Sequence, residues 1–326
     1  VTVLVTGGSG LVGSHVIVAL RERGVPVRAL VRARSGARAT VERLGAVAVP
    51  GDVTDAAAWT AAVAMGGGGL TGIVHAAALV TQRASFAEYE RVNVGGTRLA
   101  VGAARAAGVP LVHISSVAVY GGTAAYRPVA ERRDEDHPFG ALAPWDRYAR
   151  AKRDAEAVVR AAAERDGLAC VALRPNVIFG ERDRVFTPRV LAAVRLGWAP
   201  ALGAGTNHLS CVYAGNVASA AVAALDAARP GFRAYHVTRD RPPALTEREF
   251  IAAFADALGR RVRRLRVPAA LLRGALALRR GPRLARAAVS FLTGENPYAA
   301  DRITAELGWS PPFDTRAAIR RSVQAA

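Results

Sequence analysis

"VTVLVTGGSGLVGSHVIVALRERG", residues 1–24, decides the fold. Its first six residues are apolar or β-branched, the pattern of a strand buried on both faces. Gly7, Gly10 and Gly13 follow at a G-x-x-G-x-x-G spacing, and from about Leu11 to Arg23 apolar residues recur at helical intervals. A strand that turns through glycines directly into a helix presents unpaired helix N–H groups to an anion. Glycine is needed where that turn approaches a pyrophosphate and where the helix packs closely on the strand. No G-K-[ST] follows, which excludes a phosphate-transferring P-loop. Gly7, Ser9, Gly10, Leu11, Val12 and Gly13 are therefore expected to bind a dinucleotide.

The same alternation continues along the chain. Strands are expected at 25–31, 46–49, 70–78, 109–116 and 168–175, with a short helix at 56–63 and long helices over 86–107 and from about Tyr148. Parallel strands joined by helices imply right-handed crossovers and an α/β, Rossmann-like doubly wound sheet. After Pro175 the pattern loosens, with helices near 246–258 and 314–323. Residues 1–175, completed by parts of 210–240, are read as the dinucleotide-binding domain. Residues 176–326 are read mainly as a smaller substrate-binding, capping part.

Composition narrows the functional classes. Half-apolar content with dispersed Gly and Pro is that of a globular chain. The first strand begins at Val1 and no apolar run reaches about 18 residues, so neither a signal peptide nor a membrane span is expected and the location expected is cytoplasmic. Cys170 and Cys211 lie in apolar surroundings without ligand spacing and read as buried free thiols, with no metal expected. The net charge of +18 comes largely from scattered arginine, so nucleic acid is not an expected partner. Residues 259–292 interleave arginine with apolar stretches, a pattern that allows weak contact with a membrane surface; a solvated helix face is the plainer reading. A homodimer is expected.

Two local features bear on chemistry. At the end of the second strand, "RALVRARSG" offers Arg32 and Arg34 where a carboxylate would hold a ribose. A cation there suits a 2′-phosphate and favours NADP(H) over NAD(H). Asp52 and Val53, after the third strand, face the adenine end. The second feature is Lys152, the one lysine in the chain, four residues after Tyr148. On a helix the two share a face. A phenol with an ordinary pKa near 10 needs about 4 kcal/mol of help to ionise at pH 7, and a nearby ammonium supplies part of it.

Taken together, "TGGSGLVG", "GDVTD" (51–55), "HAAA" (75–78), "NVGGT" (93–97), "ISSVAVYG" (114–121), "YARAK" (148–152) and "LRPNVIFG" (173–180) closely resemble the extended short-chain dehydrogenase/reductase superfamily across essentially the whole chain. The resemblance implies a Ser/Tyr/Lys catalytic group at Ser116, Tyr148 and Lys152, with Ser115 the alternative serine and Asn93 ordering a water relay. It also implies cofactor contacts at Ala76, Ala77, Ala78, Tyr148, Lys152, Pro175 and Val177. Glu156 is read as a surface charge.

The branch is less sharply written. Val117-Ala118 stands where nucleotide-sugar dehydratases carry Asp-Glu, and Val177 stands where sugar-nucleotide enzymes carry a substrate-binding asparagine, with Asn176 one place early. These features are similar to the 3-beta-hydroxysteroid dehydrogenase, dihydroflavonol reductase and 2-alkyl-3-oxoalkanoate reductase branches. They imply interconversion of a secondary alcohol and a ketone on a hydrophobic, lipid- or steroid-like small molecule. Arg182, Arg184 and Arg189 could instead clamp a diphosphate, which keeps a nucleotide-sugar epimerase (less readily a dehydratase) with tightly held NAD(P) as the alternative. A non-catalytic dinucleotide sensor is the third class, and retention of both Tyr148 and Lys152 argues against it.

Overall fold

The computed structural model describes residues 2–33, 36–65, 69–81, 84–121, 132–202, 204–267, 289 and 291–326. In chain order the elements are β1 (Thr2–Thr6), α1 (Leu11–Glu22), β2 (Val27–Val31), α2 (Ala37–Arg43), β3 (Val47–Pro50), α3 (Ala56–Ala64) and β4 (Leu70–His75). Then come α4 (Phe86–Tyr89), α5 (Gly96–Ala107), β5 (Leu111–Ile114), α6 (Arg147–Asp166), β6 (Ala169–Pro175), β7 (Val177–Phe179) and α7 (Thr187–Arg195). β8 (Trp198–Leu202), β9 (Cys211–Tyr213), α8 (Ala214–Asp226), β10 (Gly231–Val237), α9 (Glu247–Ala257) and β11 (Arg263–Val267) follow, with helices Arg302–Leu307 and Thr315–Gln324 near the end.

Seven strands form one sheet in the order β10-β6-β5-β4-β1-β2-β3, and every pairing is parallel. A parallel sheet is covered on both faces, so its central strands are buried along most of their length rather than alternating. β2 is buried at all five positions. One face packs on α1 and α8 through Val16, Ile17, Leu20, Val217 and Ala221. The other packs on α3, α5 and α6 through Trp59, Ala100, Ala104, Val159 and Ala163. A separate aromatic core of Phe179, Leu191, Phe250, Phe254 and Ile319 holds the smaller part, which carries the parallel pairs β7·β9 and β8·β11.

One difference from the sequence reading is structural. The helical run over 86–107 is not uniform: α4 and α5 are separated by a wide helical turn over Glu90–Gly95, a device common at functional sites. The seventh sheet strand, β10, pairs β6 from Gly231↔Ala169 to Val237↔Pro175. No described helix is long and apolar enough to cross a membrane. Most of the arginine-rich segment, 268–288 and 290, lies outside the described residues.

Candidate active site

In an all-parallel sheet the C-terminal ends of the strands share one edge. Across it run, from β3 to β6, Asp52–Val53, Arg32, the glycine turn, Ala76–Ala78, Ser115–Ser116 and Pro175. The chain reverses direction across the sheet between β1 and β4, the crevice where such folds bind dinucleotides.

The glycine turn is built for close approach. Gly7 has φ +68°, and a Cβ there would come within 2.8 Å of the Ala76–Ala77 backbone. A Cβ on Gly13 would lie 2.3 Å from the Gly7 carbonyl oxygen, so this glycine lets α1 sit directly on the turn. Gly10 caps α1 without any side-chain hydrogen bond, and no acidic residue lies in the first turn. The helix start therefore keeps oriented N–H groups free of a competing carboxylate, as a pyrophosphate requires. Leu11 is half-buried there and Val12 buried. Across the crevice Ala77 N donates to Thr6 Oγ1 at 3.2 Å. Gly13→Ala is expected to lower the melting temperature by about 5 °C, from about 1–3 kcal/mol of overpacking, and to weaken dinucleotide binding more than tenfold. Thermal melts and a titration with NADH followed by fluorescence check both.

Asp52 Oδ1 accepts from Thr54 N (2.9 Å) and Thr54 Oγ1 (2.8 Å), and Val53 O accepts from Trp59 Nε1 at 3.0 Å. These bonds fix the loop after β3. Arg32 is exposed just beyond β2, and Arg34 lies outside the described residues. Val177 is half-buried at the start of β7, where the Asn176 amide donates to Ser210 Oγ (3.1 Å) and Thr238 O (2.9 Å).

At the β5 end the two adjacent serines separate. Ser115 is buried, and its hydroxyl donates to Glu156 Oε2 at 2.6 Å. Ser116 turns outward, its Oγ accepts from Ala118 N at 3.2 Å, and it lies near enough to Tyr148 to favour the phenolate against burial. Ser116, not Ser115, therefore faces the tyrosine. Asp146 caps α6 by accepting from Ala149 N at 3.3 Å and sets Tyr148 in its first turn. The Tyr148 ring meets Tyr89 edge-on at 6.2 Å. Burial pushes the phenol up to about 12, with Ser116 opposing.

Lys152, one turn on, is only 4% exposed, and its Nζ donates to Ile114 O at 2.7 Å. The ammonium is thus tied to the β5 terminus rather than to the tyrosine hydroxyl. A buried charge needs an acceptor, and the last carbonyl of the strand supplies it. Burial pulls the lysine down to about 8, with Glu156 opposing. Two stacked histidines adjoin it, His75 on β4 and His113 on β5, with ring centroids 5.7 Å apart. Burial, then the charge of Lys152, pulls His75 down to about 3, and His113 is likewise held well below its usual value. Both rings are neutral at pH 7.

Asn93 is buried in the wide turn, where its amide accepts from Leu79 N (2.7 Å) and donates to Leu79 O (3.1 Å). Its side chain holds the loop after Ala76–Ala78. Glu156 corrects the sequence reading. It is 1% exposed, not a surface charge, and its carboxylate receives both Ser115 and the buried guanidinium of Arg174. The segment after β7 crosses to the start of α1, where Arg182 Nε donates to Ser14 Oγ at 2.7 Å and Glu181 Oε2 lies 3.1 Å from His15 Nε2.

A parallel dinucleotide fold with serine, tyrosine and lysine at the strand ends defines a nicotinamide-dependent enzyme of the extended short-chain dehydrogenase/reductase type, acting on small organic molecules. Residues 3–237 match the NAD dependent epimerase/dehydratase family, and the chain belongs to it. It is similar to the 4-hydroxy-2-methyl-3-oxo-4-farnesyl-3,4-dihydroquinoline-1-oxide ketoreductase of Stigmatella aurantiaca, 32% identical over 94% of this chain and 91% of that one. It is also similar to the 2-alkyl-3-oxoalkanoate reductase of Stenotrophomonas maltophilia, 33% identical over 79% and 76%. Among solved structures, the Thermus thermophilus UDP-glucose 4-epimerase in complex with NAD superposes with a TM-score of 0.72 at 26% identity, covering 100% of this chain and 98% of that one.

These comparisons overturn the expected preference for NADP(H). The Thermus structure holds NAD, as do further solved structures of the same fold. Arg32 stands exposed just beyond β2, and the charge type at one exposed position does not by itself select a 2′-phosphate.

Proposed function

We propose that the chain is an NAD-dependent oxidoreductase interconverting a secondary alcohol and a ketone on a small organic molecule, with Tyr148 as the proton-transferring group. The observation that carries this is the placement of Ser116 just after β5 and of Tyr148 and Lys152 one turn apart at the start of α6, on the sheet edge that also bears the glycine turn. The cofactor would supply the hydride as NADH for ketone reduction and accept it as NAD+ in the reverse direction. Gly7, Ser9, Gly10, Leu11, Val12 and Gly13 would hold its pyrophosphate. Asp52 and Val53 would face the adenine, and Ala76–Ala78, Pro175 and Val177 would line the crevice. Tyr148 gives its proton to the carbonyl oxygen, Ser116 donates a hydrogen bond to the same oxygen, and Lys152 keeps positive charge beside them.

Within that chemistry two readings of turnover differ. Net ketone reduction is supported by the two ketoreductase relatives and by Val117-Ala118 and Val177, which bring no acid–base or amide group to the cleft. Asn176, the nearby amide, is already bonded to Ser210 and Thr238. Epimerisation of a nucleotide sugar is supported by the solved structures. We favour ketone reduction on a hydrophobic substrate. Steady-state assays with NADH against 3-oxoalkanoates, quinoline and steroid ketones, and UDP- or dTDP-sugars separate the two. Stoichiometric NADH loss supports reduction. Sugar interconversion by protein that retains its NAD overturns it.

Lys152→Arg tests the site itself. A wide guanidinium cannot occupy the buried place of a compact ammonium bonded to Ile114 O, and a displacement of about 1 Å can cost on the order of 100-fold in rate. Turnover is expected to fall by about that factor in a variant whose melt shows it to be folded. Near-unchanged turnover would remove Lys152 from the mechanism.

A further inference from the structure

We propose that Glu156, with Arg174 as its counter-charge, is a positioning residue that sets both the charge state of Lys152 and the exit direction of Ser116. The inference rests on the catalytic reading of Ser116, Tyr148 and Lys152, and adds a residue that touches none of the reacting atoms.

The geometry is a buried junction. Glu156 lies one helical turn beyond Lys152 on α6, so the two side chains share the face packed on the sheet. One carboxylate oxygen, Oε2, accepts the Ser115 hydroxyl at 2.6 Å. Arg174 Nε reaches Oε1 and Oε2 at 3.2 and 3.1 Å, and its Nη2 also bonds Oε1. Arg174 is then anchored from the other side by the Tyr120 hydroxyl (2.6 Å) and Glu135 O (2.8 Å). Ser115 itself donates its backbone N–H to Leu173 O at 2.8 Å. Held at both its side chain and its backbone, Ser115 fixes the point where the chain leaves β5. Ser116, the next residue, has an extended backbone with φ −167° and ψ 152°, which turns its side chain away from the buried Ser115 and toward the side of Tyr148.

The same carboxylate acts on Lys152 through space. Charged or titratable groups acting on the ammonium are Glu156 on its own helix, His113 on β5 and His75 on β4, with Tyr148 one turn earlier on the helix and Arg174 of β6 beyond the carboxylate. The two histidines are neutral at pH 7, leaving Glu156 as the anion that favours protonated Lys152 against its burial. Its removal leaves Lys152 and Arg174 as two cations in one dry shell, which favours neutral lysine.

Because Lys152 is the one lysine in the chain, lysine labelled with 13C at Cε and 15N at Nζ gives one NMR signal whose titration reads it directly. Glu156→Gln keeps an oxygen to accept the Ser115 hydroxyl and removes the charge. The expected result is a Lys152 midpoint lower by about one pH unit or more, with the alkaline fall in turnover moving by the same amount. Ser115→Ala keeps the charge and removes the tie to β5. It is expected to leave the Lys152 midpoint in place and to reduce kcat about tenfold or more, in line with loss of one positioning hydrogen bond. An unmoved midpoint in folded Glu156→Gln overturns the electrostatic half, and unchanged kcat in Ser115→Ala overturns the positional half. Should Glu156→Gln fail to fold, Glu156→Asp reads the same midpoint with the charge drawn back by one methylene, and an unchanged value then counts against the proposal. The NMR midpoint requires no substrate, so its outcome stands apart from the fate of the proposed reaction.

Discussion

Tyr148→Phe is expected to cost between about 100-fold and 10,000-fold in kcat while leaving the fold and NAD binding in place. The ring is half-buried against Tyr89, and phenylalanine refills that space without the hydroxyl. What is lost is the proton. With its phenol pushed up to about 12, Tyr148 is fully protonated at neutral pH, the state needed to donate to a developing alkoxide. The opposite direction needs the phenolate, and moving from about 12 to 7 takes about 7 kcal/mol, more than the 4 kcal/mol an unperturbed tyrosine would need. Ser116 and the positive charge of oxidised nicotinamide act toward it. The asymmetry implies that ketone reduction runs on a flat pH profile through neutrality. It should then fall as pH rises through about 8, where Lys152 loses its proton, well before the tyrosine titrates. Stopped-flow rates against pH for wild type and Tyr148→Phe test this. A variant retaining more than about a tenth of wild-type turnover would sink the assignment.

Much of this arrangement is legible in the sequence because it is local. Gly7, Gly10 and Gly13 answer to a turn a few residues long, and β1, β2, β5 and β6 are mostly apolar, mostly buried runs. The Tyr148–Lys152 spacing is a helix period. Other features depend on what the elements pack against. β10 begins with three half-buried residues and mixes Arg, Tyr and His with apolar positions, as an edge strand does, so its pattern never declares itself. Glu156 shares the helix spacing that singled out Lys152. That the face is buried depends on Arg174, 18 residues away on β6, meeting it there. Ser115 and Ser116 could have been parted by strand alternation, since successive side chains point to opposite faces. The cofactor's ribose preference was not legible from Arg32, because charge type at one exposed position does not fix a phosphate.

The largest loss of stability is expected from Arg174→Met. Arg174 is 1% exposed and Glu156 also 1%, so neither charge has water to fall back on. Methionine fills similar volume but strands the carboxylate with the Ser115 hydroxyl as its remaining donor from the junction. Breaking a buried pair by removing one partner costs about 3–5 kcal/mol. At about 2–4 °C per kcal/mol in a chain of this size, the melting temperature should drop by about 10 °C. The cost belongs to the stranded charge rather than to a missing attraction, and this has a consequence. Removing both charges in Arg174→Met/Glu156→Leu should recover most of the stability, because a well-packed apolar pair often replaces a buried ion pair at little net cost. Turnover separates the two roles of the junction. The double variant regains its melt but lacks the anion beside Lys152 and the acceptor for Ser115, so it should remain slow. A double variant that recovered both stability and turnover would make the pair a structural strut with no part in the chemistry.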